Sequence, residues 1–259
     1  MTSFTGFLSN YLIKQRNARQ DIMNIHDITI LPINEDIINK TVCNTIKKYD
    51  YTINNLSYNR TPVEQLDNIY MGYLAKNALV TYFRNQGIEV EDYDEIRTDN
   101  FQGHDPGWDF KLGPHKLKCE VKSSIPPNNE FDADIIDKKD IKVIASHDKN
   151  NTGSIIKPED LNCDLHFQIY FRAKTYKNGY TDSKKLSDDL RQDPNLIHRT
   201  INTSKYNKPF FFGVATKKEI MNYANTLGTW SFSWTSALYW HCPISKAHSL
   251  AELVKAIQK

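Results

Sequence analysis

Asp109, Glu120 and Lys122 are the residues of this 259-residue chain whose types and spacing point to chemistry. They lie in "WDFKLGPHKLKCEVKSS", residues 108 to 124, where Gly113-Pro114-His115 divides two short runs of alternating character. Strand side chains point to opposite faces in turn. Leu117, Cys119 and Val121 therefore share one face, and Lys116, Lys118, Glu120 and Lys122 share the other. Folding the runs together across the turn brings Asp109 close to Glu120 and leaves Lys122 one pleat further on. Two carboxylates so placed repel unless a cation sits between them, and hard oxygen ligands suit Mg2+. An ion held there polarises a phosphoryl oxygen, orients a water and lowers its pKa, which are the tasks of phosphodiester hydrolysis. Lys122 would position or deprotonate that water, or offset charge building on phosphorus.

Half-exposed hairpins also turn acids and lysines to water, and spacing alone does not separate that reading from a catalytic one. Two features of the surroundings favour a site. The residues around Val121 are apolar enough for a central strand, where a polar face needs a task. The loop "RTDNFQGHDPG", residues 97 to 107, carries two glycines immediately before Trp108, which gives a large substrate access.

The elements that must hold these residues are legible on either side. Thr61 suits a helix cap, Pro62 the first helical position and Gly87 a stop, so residues 61 to 87 read as the clearest helix of the chain. Ile88 and Val90 then alternate with acids as a strand does. Further on, residues 131 to 153 read as a short helix and a strand near Lys142 to Ser146. Leu165, Phe167, Ile169 and Phe171 alternate with His166, Gln168, Tyr170 and Arg172. "PFFFGVATKKEIMNYA" reads as a buried strand entering a helix, and Leu250, Leu253, Val254 and Ile257 stripe a closing helix. This order predicts an α/β fold, a mixed central β-sheet flanked by helices. Residues 1 to 60, with helical spacing at Ile37, Ile38, Val42 and Ile46, are set apart as an N-terminal segment for recognition or dimerisation. Residues 61 to 259 form the core.

Trp108-Asp109 followed by Glu120-Val121-Lys122-Ser123-Ser124, behind a helix and a strand, resembles the PD-(D/E)xK nuclease superfamily, to which many type II restriction endonucleases belong. The likeness covers roughly residues 62 to 124. It implies a restriction-endonuclease-like core in which Asp109 and Glu120 bind Mg2+, the Val121 carbonyl completes the ligand set and Lys122 serves the water. Members often carry a further glutamate on the first helix, where Tyr73, Lys76 and Asn77 fall here. Asn77 and Asp105 are the candidates to take its place, and Glu64 and Asp67 lie one or two turns earlier. The implied activity is cleavage of double-stranded DNA at a short sequence. A palindromic site implies a homodimer, and a restriction system implies a cognate DNA methyltransferase. A repair or phage-defence nuclease and an inactive DNA-binding module are the rival readings of the same core.

Net charge is only +2, so a nucleic-acid surface has to come from local clustering. Arg172, Lys174, Tyr176 and Lys177 interleave cations with aromatics that neutralise phosphates and stack on bases. Asn202, Ser204 and Lys205 lie in a second polar stretch able to read phosphates or base edges. No run reaches the roughly 18 apolar residues of a membrane span, and a soluble cytoplasmic chain is expected. The four cysteines and eight histidines form no CxxC, HxH or HExxH spacing and read as structural. No phosphate-binding glycine loop, nucleophile elbow or kinase signature is present.

Overall fold

The structure is a computed structural model, and it describes residues 4–19, 23–52, 60–103, 105–127, 130–150, 152–174, 179–233 and 235–259. In chain order the helices and strands are α1 (Phe4–Arg19), β1 (Thr29–Ile30), α2 (Glu35–Tyr49), α3 (Pro62–Asn85), β2 (Val90–Asp92), α4 (Tyr93–Ile96), β3 (Phe110–Leu112) and β4 (Leu117–Ser124). They continue with α5 (Asp132–Lys138), β5 (Val143–Ser146), β6 (Leu165–Phe171), α6 (Ser183–Gln192), α7 (Leu196–Ile201), β7 (Pro209–Thr216), α8 (Lys217–Leu227), β8 (Thr229–Trp230), β9 (Leu238–Trp240) and α9 (Leu250–Ile257). Six strands form one sheet in the order β1-β7-β6-β4-β3-β2, and β5, β9 and β8 form a second. Only β4 and β6 run parallel; every other pair in the large sheet is antiparallel. The fold is thus α/β with a mixed six-stranded sheet flanked by helices.

Both faces of the sheet centre are covered, because β6 is apolar in alternate positions and its other side meets a second layer. On one face Phe83 of α3 stands against Phe110 and Phe167, with ring centroids 6.2 and 5.9 Å apart, and Phe167 continues to Phe211 at 6.3 Å. On the other, Tyr170 and Phe212 pack with Ile136, Val143, Ile220 and Ile244 from α5, the small sheet and the segments after them. All seven residues of β6 are buried as a result, His166 and Gln168 included.

Local signals act as their chemistry requires. Thr61 Oγ1 accepts from the Glu64 N–H at 3.2 Å, and Gly87 ends α3 with φ at 72°, which a side chain disfavours. The strand read after Gly87 is shorter than its alternation suggests. The Asp92 carboxylate accepts from the Asp94 N–H at 3.1 Å and turns the chain into α4. The N-terminal elements are woven into the same core. β1 pairs Thr29 with Phe211 of β7, while Leu8, Leu12, Ile37, Val42 and Tyr49 pack in the cluster that holds α3. Among the described residues, no helix is long and apolar enough to cross a membrane.

Phe167 joins α3 to three strands at once and is fully buried. Phe167→Ala is expected to cost about 3–5 kcal/mol by urea denaturation. A loss below ~1 kcal/mol would show that the joint lies elsewhere.

Candidate active site

The hairpin register runs Phe110 with Cys119, Lys111 with Lys118 and Leu112 with Leu117. One step further out, the Asp109 N–H donates to the Cys119 carbonyl at 2.8 Å, and Asp109 Oδ2 accepts from the Val121 N–H at 2.6 Å. Asp109 is thereby anchored at Cys119 through its backbone and at Val121 through its carboxylate, the two neighbours of Glu120. Beyond Cys119 the described strand pairing of β4 is with β6, and on its other edge the Asp109 carboxylate takes the Val121 N–H.

Lys122 Nζ stands 2.5 Å from Glu120 Oε1, while His166 Nδ1 lies 3.1 Å from Glu120 Oε2. Burial would raise the Glu120 carboxyl, but the Lys122 ammonium and the His166 ring overcome it and hold the group down at about 2. Burial pulls the Lys122 ammonium the other way, and Glu120 wins again, lifting it to about 12. Asp109 fares differently. Burial lifts its carboxyl to about 6 in spite of the Val121 N–H and the Lys122 charge. Of the two acids, Asp109 is the one whose negative charge is under-compensated.

A pocket of about 390 Å³ opens at this edge, lined by Asn68, Tyr73 and Lys76 of α3, Tyr93 and Asp94 of α4, and Asp105, Trp108, Asp109, Val121 and Lys122. Lys76 is buried, 2.8 Å from Asp92 Oδ1 and in contact with Asp94, and Lys40 takes Asp92 Oδ2 at 2.7 Å. The helix thus offers the pocket a cation at the place where the resemblance implies an acid. Asp94, fixed by Lys76, is the acid nearest that place, and sequence reasoning passed it over because it was read as part of a strand face.

Other sequence candidates are dispersed. Asn77 does not join the pocket: its side chain is buried against α2, donating to Thr41 Oγ1 at 3.0 Å. Asp67 is held by Lys205 Nζ at 2.7 Å and the Tyr206 hydroxyl at 3.0 Å. Asp105 does line the pocket, but it is paired with Lys48 at 3.0 Å and with Arg97 at 3.0 Å. Arg172, Lys174 and Lys205 share a separate cavity of about 370 Å³. There Arg172 donates to the Glu130 carbonyl at 2.7 Å and pairs with Asp132. Ser204 Oγ and Asn202 Oδ1 bond to each other at 2.8 Å, with Asn202 in a left-handed conformation at φ 51°. Tyr176 and Lys177 lie outside the described residues.

Three further side chains stand close to Glu120 and Lys122. The Lys142 ammonium is pushed down to about 8 by burial and by the Lys122 and Lys139 charges, and its backbone N–H donates to Gln168 Oε1 at 3.2 Å. His166 and Cys163 approach Glu120 from β6 and the turn before it. Their separation, Cys-x-x-His, was the available signal.

Because the folded carboxyl of Asp109 sits near 6, above its unfolded value of about 3.9, the folded protein binds the extra proton between those values. Its stability in chelator should fall as pH rises through that window. Asp109→Asn keeps an acceptor for the Val121 N–H, so it should stabilise the metal-free protein by about 1–3 kcal/mol at pH 7.5 and by almost nothing at pH 4. Thermal melts at the two pH values check this; a variant less stable at both would contradict it. No protein-family model, curated protein or solved structure matches the chain, so its functional reading rests on this geometry.

Proposed function

We propose that the chain is a Mg2+-dependent endodeoxyribonuclease that hydrolyses phosphodiester bonds of double-stranded DNA, acting as a type II restriction enzyme at a short sequence. The observation that carries the reading is Asp109 bonded to Cys119 and Val121 on either side of Glu120, with Lys122 paired to Glu120 at the rim of an open pocket. The donor set fits the ion. Asp109 and Glu120 offer hard oxygens, joined by the Val121 carbonyl in the arrangement the resemblance implies. Burial raises the Asp109 carboxyl, and a bound cation would offset that cost. Once bound, the ion supplies Lewis-acid polarisation of the phosphoryl group.

The chain's own groups supply the rest. Lys122 is held as an ammonium, so it contributes positive charge and hydrogen-bond donation where charge gathers on the phosphate. Trp108 and Tyr93, edge to face at 5.2 Å, form a rigid apolar wall of the pocket beside Asp109. Arg172, Lys174 and Lys205, gathered in their own cavity, are suited to the sugar-phosphate backbone away from the cut. Cutting both strands of a palindrome calls for a homodimer with two such sites, and host DNA then needs a protecting methyltransferase.

Mixed duplex DNA incubated with and without Mg2+ tests the reading. Discrete fragments appearing only with Mg2+ are expected; a ladder or structure-dependent nicks would assign the core to repair or phage defence, and no cutting with any divalent ion would leave a DNA-binding module. Glu120→Ala and Lys122→Ala should each lower the single-turnover rate by about 10²–10⁴-fold. Cleavage at the parental rate in either would overturn the assignment of roles.

Lys174→Ala should weaken DNA binding across all sequences alike and reduce the slope of log affinity against log salt by about 1. An unchanged slope would remove this cavity from the DNA path.

A further inference from the structure

We infer that Cys163, His166 and Glu120 form a second cation site, one for a thiophilic divalent ion of the zinc class, built on the Glu120 oxygen that Lys122 does not occupy. Parallel pairing of β4 with β6 sets Glu120 directly beside His166, on the same face. Cys163 stands three residues earlier, in the turn just before that strand. One donor atom from each of the three lies within 4.8 Å of the other two. Tetrahedral ligands about 2.0–2.3 Å from zinc are roughly 3.5 Å apart, so rotamer adjustments of about an ångström close the site.

A second observation points to a ligand independently. His166 is 1% exposed, and neither ring nitrogen has a hydrogen-bond partner. Its Nδ1 stands 3.1 Å from Glu120 Oε2 without hydrogen-bond alignment. Burying an imidazole unpaired is costly, and native interiors rarely tolerate it without a partner. A cation bound by one of its nitrogens is such a partner. Cys163 Sγ now donates to the Gly107 carbonyl at 2.8 Å. As its sulfur binds the ion, that thiol proton passes to solvent. A sulfur, a nitrogen and an oxygen make a donor set that suits Zn2+ or Co2+ and not Mg2+, and three protein ligands leave one position for water.

The two sites share one carboxylate. An ion held through Glu120 Oε2 draws that side chain toward β6 and away from Asp109, so zinc would oppose magnesium-supported cleavage. This consequence rests on the nuclease reading; the site itself does not.

The experiment is a Co2+ titration of the metal-free full-length chain, read by the sulfur-to-cobalt charge-transfer band. The band should appear at one equivalent, vanish in Cys163→Ser and require at least roughly tenfold more Co2+ in His166→Gln. It should be untouched in Cys43→Ser, which removes the exposed thiol. Serine can still donate to the Gly107 carbonyl, and circular dichroism reports whether that variant folds. No band in the parent chain, or one that survives Cys163→Ser, overturns the site. Zn2+ should inhibit Mg2+-dependent cleavage by the parent and not by Cys163→Ser; equal inhibition of both overturns the opposition between the ions. A Cys163-dependent band in a chain without nuclease activity upholds the site and refutes only the nuclease reading.

Discussion

Asp109 is bonded to Cys119 and to Val121, the two neighbours of Glu120, and much of the surrounding architecture makes that carboxylate pair tolerable. Glu120 is relieved by Lys122 on one oxygen and His166 near the other. Asp109 receives a single backbone N–H from Val121. The division is unequal, which is why one carboxyl falls and the other rises, and why unmet demand for positive charge collects on Asp109 at the open edge.

Rigidity around the pair comes from polar groups as much as from the apolar core. Gln168, fully buried on β6, donates to the Lys122 carbonyl at 3.2 Å and accepts from the Lys142 N–H at 3.2 Å. One side chain therefore fixes the backbone of the motif lysine and the approach of the small sheet. Behind the pocket, Asp92 is fully buried and holds Lys40 from α2 and Lys76 from α3, so the two helices are tied to the turn after β2. Breaking such a buried cluster by removing one member costs more than the pair returns, because an uncompensated charge stays behind. The wall opposite Asp109 is thereby held in one arrangement.

What the sequence disclosed was local. The Thr61 cap, the Gly87 stop and the hairpin across Gly113 follow from chemistry within a few residues, and the structure keeps them. The face of α3 was not legible, because that helix is apolar nearly all round, packed by α2 on one side and the sheet on the other. Periodicity then cannot say whether Asn77 or Lys76 looks into the pocket. Asp92 ended a strand that alternation would have prolonged, since a short carboxylate bonding its own backbone outweighs weak strand propensity. Residues 4–19 and 23–52 join the core through α1, α2 and a two-residue strand that pairs with β7, far along the chain. His166 and Cys163 reached Glu120 through parallel pairing between strands some 46 residues apart, a relation no local pattern carries.

Glu120 is the point on which these relations converge, since Lys122, the Asp109 edge and the His166–Cys163 side all draw on its two oxygens. Lys122 owes its charged state to this acid, because burial alone works toward the neutral amine. When Glu120 is drawn to a cation on either side, Lys122 loses part of the partner that offsets its burial. Its role then shifts from that of a fixed charge toward that of a group able to exchange a proton. On the proposed nuclease reading, positioning water and deprotonating it would be two states of one ion pair, with the occupancy of Glu120 deciding between them.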